Sequence, residues 1–296
     1  MRRFSVEING ETFLSPLGAT DYSGRAFRVT FRTQSNYTEA LGLLDLKIYN
    51  LAESTKVIKH TKATPAILRL SAGYEDNFGP IFNGYIKAVF REREETNIVT
   101  HILCTSGYAT ARTPISVSFG RNSDIITVIQ GVCKAAGYNT DIDADQFKNR
   151  QVFGRGYVAN GDFTEVMKNL AAQFDFGWAY DAVRSSTIVI DGNTKTRKGA
   201  MIEVNRTTGL IGYPEASGDN TDTFTDWTMR LSPQVRLGMT ANLKSKFATF
   251  NTGNMYFLDA DMTHGFNTDG KYKIMTISHE GDSWGQTWTT QIKGMK

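Results

Sequence analysis

The sequence predicts an α+β fold that is mainly β, with two small β domains flanking an α+β insert: residues 1–107, 108–224 and 225–296. Three observations predict it. Apolar and polar residues alternate at period two through the first hundred residues and again from Thr225, as half-buried strands require. Between those regions the period lengthens twice to that of an amphipathic helix. Thr, Val, Ile and Tyr are abundant beside 27 Gly, which suits many strands joined by tight turns.

In the first region Phe27–Thr33, Leu44–Tyr49 and Ile67–Leu70 alternate cleanly. Two longer strands follow, Ile81–Arg91 and Asn97–Cys104, around the charged stretch Arg91–Thr96, which reads as a hairpin tip kept in water. The region is expected to be a small barrel or sandwich. In the middle, Ser123-Asp124 caps a helix carrying Ile125, Ile126, Val128, Ile129, Val132 and Cys133 and closed by Gly137. Asp162 is expected to cap a second helix with Phe163, Val166, Met167, Leu170 and Phe174, ending near Gly177. Trp178–Tyr180 and Thr187–Ile190 then read as a strand pair. Met201–Val204 and Gly209–Gly212 read as edge strands. Beyond Thr225, strands are expected at Trp227–Leu231, Val235–Leu243, Met255–Met262, Tyr272–Ile277 and Thr287–Ile292, with Asp269-Gly270 as a turn.

A chain of 296 residues with six Pro is long enough and apolar enough to bury real cores, which excludes disorder as its main state. The formal charge of +3 is too small to predict a duplex or an anionic membrane as main partner. Cys104 and Cys133 form no CxxC pair, which suits a reducing compartment. The N-terminus reaches Glu7 without an apolar stretch, so no signal peptide is expected. No apolar run approaches the roughly 18 residues of a membrane span, and the chain is expected to be soluble.

Motifs that carry chemistry each fall short. Asp141, Asp143 and Asp145 begin like a calcium loop, but Gln146 stands where Gly is needed and Val152 where a bidentate Glu is needed. Gly265–Lys271 has phosphate-loop spacing, yet Tyr272 replaces the magnesium-binding hydroxyl and a strand follows. His60, His101, His264 and His279 share no metal-ligand spacing. Glu165 and Asp175 flank an aromatic-rich helix and would be the acids of a glycosidase, though helix-surface charge is the preferred reading. Trp227, Trp284 and Trp288 would suit either a sugar-binding strip or a β core. No catalytic, metal or cofactor residues are assigned, and a scaffold is expected rather than an enzyme.

Three stretches resemble the baseplate hub proteins of tailed bacteriophages, the Mu-like hub and late-control family whose fold is shared with the base of type VI secretion spikes. They are Leu68–Tyr74 followed by Ile81–Ile86; Thr100–Gly107, with Ser106 where the family usually has an acid; and Leu231–Gly238, Gly270–Ile274, His279–Ser283 and Trp288–Thr290. The resemblance implies that the flanking β domains are tube-like β-barrels. Three subunits would then form a pseudo-sixfold ring joining a sixfold tail tube to a threefold central spike. The implied partners are a homotrimer, the tail tube or tube-initiator protein, the spike, the tape-measure protein and baseplate wedge proteins, with the genome passing the lumen without specific binding and no membrane insertion. The implied location is the virion baseplate, assembled in host cytoplasm. Some relatives carry a cell-wall hydrolase, for which 296 residues are expected to leave no room. The alternatives are a sixfold distal tail ring, or a peripheral carbohydrate-binding or cell-wall-degrading tail component.

Overall fold

The computed structural model describes residues 1–8, 11–14, 27–37, 41–52, 66–106, 113–148, 153–184, 186–191, 196–197, 199, 201–218, 223–250 and 268–296. The first region contributes β1 (Arg2–Ile8), β2 (Glu11–Leu14), β3 (Val29–Asn36), β4 (Leu43–Tyr49), β5 (Ile67–Tyr74), β6 (Asn77–Glu94) and β7 (Asn97–Thr105). The middle contributes β8 (Pro114–Phe119), α1 (Ile125–Ala135), β9 (Asn139–Ile142), β10 (Tyr157–Asp162), α2 (Phe163–Phe174), β11 (Phe176–Asp181) and β12 (Ser186–Asp191). Then come β13 (Ile202–Val204), β14 (Leu210–Gly218), β15 (Thr223–Arg230), β16 (Thr240–Leu243), β17 (Thr249–Phe250), β18 (Gly270–Asp282) and β19 (Trp288–Met295). The chain is mainly β, as its periodicity predicts.

The partners of these strands are less local than the pattern suggests. One fourteen-stranded sheet runs β17-β14-β15-β19-β18-β3-β4-β7-β6-β5-β1-β2, with β16 and β13 branching from β18. The expected β domains at the two ends of the chain are joined through one sheet, because β18 pairs with β3. No barrel closes by strand pairing among the described residues. Local alternation identifies a strand but carries no information on a partner some 250 residues away. The strands β13 and β14, which precede residue 224, also join this sheet, through β16 and β15. Register shifts in four antiparallel pairs bend the sheet. It curls until the start of β1 meets the β18–β19 turn, where Trp288 Nε1 donates to the Gly73 carbonyl at 3.0 Å.

Three apolar cores lie inside. The first gathers Val6, Leu46, Leu70, Phe82 and Ile102, and Leu231 and Trp288 from the C-terminal strands complete it. The second packs α1 and α2 onto β9, β11 and β12 through Val128, Val132, Met167, Leu170 and Trp178. Alternation along β11 and β12 turns Ala179, Ile188 and Ile190 the other way, into a third core with Trp227, Tyr272 and Ile292. The middle region is thus covered on both faces of its small sheet.

Helix boundaries follow the sequence closely. Asp124 caps α1 by accepting from the Thr127 N–H at 2.6 Å, which holds its carboxyl below the usual range. Asp162 stands at the N-cap of α2 but makes no side-chain capping bond. It is also the last residue of β10, and the Phe163 N–H is taken by the Thr113 carbonyl. The expected strand Val235–Leu243 begins only at Thr240, because Pro233 and Gly238 (φ +74°) turn the chain while burying Val235 and Leu237. The expected strand Met255–Met262 lies outside the described residues.

Candidate functional site

Two features could serve an assembly role, a broad polar face and the buried junction beneath it. Along β3, β4, β14, β15, β18 and β19, the residues facing away from the cores are mainly polar, with Leu43, Ile211 and Tyr213 as exposed apolar members of the same strands. Register places Asp45, Arg32, Glu280 and Thr289 in one row across four strands. Thr276, Lys293, Asp226 and Glu215 form a second row. Opposite charges meet in both: Arg32 lies 3.3 Å from Glu280, and Lys293 lies 3.7 Å from Asp226. Lys47 reaches Glu92 at 3.4 Å and Glu94 at 3.8 Å. Arg28 holds Asp282 at 2.8 Å and keeps that carboxyl below its usual range against the opposing effect of burial. Each of these four cations is neutralised by a neighbouring carboxylate, whereas Arg230, opposite Thr289 at the end of the first row, stacks on the Tyr74 ring at 4.1 Å. Two shallow concavities of about 320 Å³ each lie on it, one around Arg32, Asp226 and Gln291, the other around Asp45, Lys47 and Glu280.

Below this face the three cores meet. Tyr37 packs among the third-core residues, and Gly177 is needed there because a Cβ would lie 2.9 Å from the Tyr37 ring. The Asn83 N–H donates to the Ala182 carbonyl at 2.7 Å, tying β6 to the middle region. Arg197 bridges Asp141 of β9 and Asp181 at the end of β11, and its N–H donates to the Gly238 carbonyl. Arg197 and Asp181 are both nearly excluded from solvent, so losing one would strand a buried charge. Arg236 is half-buried and donates to the carbonyls of Pro233, Val235 and Pro80. Desolvation lowers its pKa. A cavity of about 20 Å³, room for a single water, separates Arg236 and Asp181 from Ser35 and His279.

The residues singled out from sequence are not brought together. His60 and His264 lie outside the described residues. His101 pairs with Asp45 and stacks on Phe90, whereas His279 is buried in β18. Glu165 is in the first turn of α2 and Asp175 caps its far end, about 15 Å along the axis at 1.5 Å per residue, beyond the spacing of a glycosidase acid pair. Of the calcium-like acids, Asp141 binds arginines, Asp143 caps the short turn Ala144–Phe147, and Asp145 meets Lys148. Among the described residues no three His, Cys, Asp or Glu are grouped to hold a metal ion, and no helix is long and apolar enough to cross a membrane. Gly265–Asn267 of the phosphate-like loop lie outside the described residues, and Gly270 opens β18. Trp227 and Trp288 are core residues, so the tryptophan strip reduces to Trp284.

The sequence profile of a family described as "Baseplate hub gp41" matches residues 44–259, most of the chain. The chain belongs to this baseplate hub family. No curated protein matches the hub chain by sequence. Solved structures with the same fold include a 43 kDa tail protein of prophage MuSo2 from Shewanella oneidensis, with TM-score 0.58 and 11% identity over 99% of this chain and 96% of that one. A tail protein from Neisseria meningitidis MC58 has TM-score 0.60 and 8% identity over 100% and 96%. The E. coli c3393 protein, a type VI secretion component described as similar to the T4 tail proteins gp27 and gp5, has TM-score 0.57 and 9% identity over 98% and 76%. At such identities these likenesses establish the fold. The family makes the chain a phage tail component of the baseplate hub, with a fold shared by a type VI secretion protein.

For this hub chain, the polar face was foreshadowed by alternation in Phe27–Thr33 and Leu44–Tyr49, which sets Arg32, Asp45 and Lys47 on one side. The Arg197–Asp181 pair had no signal at all, since its members lie 16 residues apart in irregular sequence context.

Proposed function

We propose that the chain is a structural, non-enzymatic hub that forms a homotrimeric ring, each subunit supplying two tube-like modules from its single large sheet. The division into 1–107, 108–224 and 225–296 then describes two modules and an insert, with β13 and β14 lent to the C-terminal module. The single observation that carries the reading is the pairing of β18 with β3 over Thr276–Asp282 and Thr30–Asn36, which makes one surface from both modules. The end strands β2 and β17 each have one neighbour among the described residues, and pairing with the next subunit would remove those open edges.

In this reading the polar face lines the lumen. Its neutralised cations let the genome and the tape-measure protein slide past without specific binding. The ring adapts a sixfold tail tube or tube initiator to a threefold central spike, is surrounded by wedge proteins, and is assembled in host cytoplasm before residing in the virion. Native mass spectrometry, alone and with the protein encoded beside it, tests this. A trimer supports the hub, a hexamer moves the chain to a distal tail ring, and a persistent monomer overturns the ring. A lumen mapped to surfaces rich in unpaired Lys and Arg would refute the sliding role.

A further inference from the structure

We propose that one buried water molecule is a permanent part of this fold, held in the small junction cavity by His279 Nε2, Arg236, Asp181 and Ser35. Ser35 belongs to β3, Asp181 ends β11, Arg236 lies in the turn between Pro233 and Gly238, and His279 sits in β18. The water would therefore tie the N-terminal, middle and C-terminal regions together within one subunit, whether or not subunits assemble. The cavity measures about 20 Å³, with Ile81, Val235, Leu237 and Ile277 among its apolar walls. One water needs about 10–15 Å³.

The hydrogen bonds around His279 fix where its proton sits. The imidazole is 4% exposed, and burial keeps it neutral. Its Nδ1 lies 2.9 Å from Thr290 Oγ1. That hydroxyl is fully buried and accepts from the Ser232 N–H at 3.0 Å. Among the described residues, Nδ1 is the only acceptor within its reach, so Thr290 donates to Nδ1 and the imidazole proton is assigned to Nε2. Nε2 has no hydrogen-bond partner among the described residues, although the ring is buried and lines the cavity. A buried N–H without an acceptor is costly, and it is this proton that demands a ligand.

The other walls supply what a water needs and a halide does not. Arg236 gives three of its N–H groups to the carbonyls of Pro233, Val235 and Pro80, which leaves the Nε–H and one Nη2–H over. Asp181 Oδ1 accepts from the Val183 and Arg184 N–H groups, whereas Oδ2 accepts from Arg197 and keeps a lone pair. The Ser35 hydroxyl lines the cavity without a hydrogen-bond partner among the described residues. Two donors and two acceptors therefore surround a space one water wide. A water accepts from His279 and Arg236 and donates to Asp181 and Ser35. A chloride would serve the donors, but it would sit against the Asp181 carboxylate with no proton to give it.

Two measurements on the full chain test this. With isotope-labelled histidine, proton–nitrogen correlation spectra read which ring nitrogen of each of the four His carries the proton. His60→Asn, His101→Asn and His264→Asn each remove one of the other signals, so the signal common to all three variants is that of His279. The expected result is a proton on Nε2 with a rotating-frame Overhauser contact to water. A proton on Nδ1, or no such contact, would overturn the proposal. In crystals of the chain, a single solvent peak within hydrogen-bond distance of His279 Nε2 and Arg236 is expected, unchanged by a bromide soak. A cavity without that peak, or an anomalous bromide signal inside it, would also overturn the proposal.

Discussion

Protonation of His279 is expected to destabilise the fold in mild acid. The imidazole is 4% exposed, with Nδ1 at 2.9 Å from Thr290 Oγ1 and the backbone N–H donating to Thr33 Oγ1. Arg236 and Asp181 face it across the small junction cavity. Desolvation first, and the Arg236 charge second, push its pKa from 6.5 down to about 3. The neutral form is the one that folds. Stability from this group is therefore complete above pH 6.5 and is lost as pH falls toward 3, because the unfolded chain takes up the proton first. Each pH unit within that window costs about 1.4 kcal/mol, so the loss between pH 6.5 and 4.5 is about 2–3 kcal/mol. Urea unfolding of wild type and His279→Asn at fixed protein concentration, from pH 7.5 to 4.5, measures it. The variant lacks the titrating ring, so its stability deficit relative to wild type should shrink by that amount on acidification. Other acid-sensitive groups, Asp282 and Asp124 among them, are common to both proteins and cancel. Parallel curves would refute the reasoning.

Other outcomes follow from packing. Leu70→Ala removes a fully buried side chain from the first core and should lower unfolding free energy by about 2–5 kcal/mol in denaturant titration. Gly84→Ala would set a Cβ 2.2 Å from the Thr105 carbonyl oxygen, a backbone atom of the paired strand that cannot step aside. A melting-temperature drop larger than that of Gly120→Ala, where the space is open, is expected. Cys104 and Cys133 are buried and burial raises both thiols, Cys133 to about 11, so a thiol reagent at pH 8 should modify neither in the native chain and both in denaturant.

Much of this protein was written locally. The two helices, the capping role of Asp124, the hairpin around Arg91–Thr96 and the strand pair Trp178–Tyr180 with Thr187–Ile190 all depend on periodicity and turn chemistry within a dozen residues. The hub resemblance was legible for a similar reason, since it sat in short ordered stretches within strands and turns. Neighbours along the chain are neighbours in these elements whatever the rest of the molecule does. What tertiary structure alone decided is which strands meet. The pairing of β3 with β18, the entry of Trp288 into the N-terminal core, the Arg197–Asp181 bridge and the exposure of Trp284 where Trp227 is buried all join or separate residues by long-range contact. Alternation tells a strand which face is apolar but not which strand lies beside it, because backbone hydrogen bonds are the same for every partner and only the packed whole selects among them.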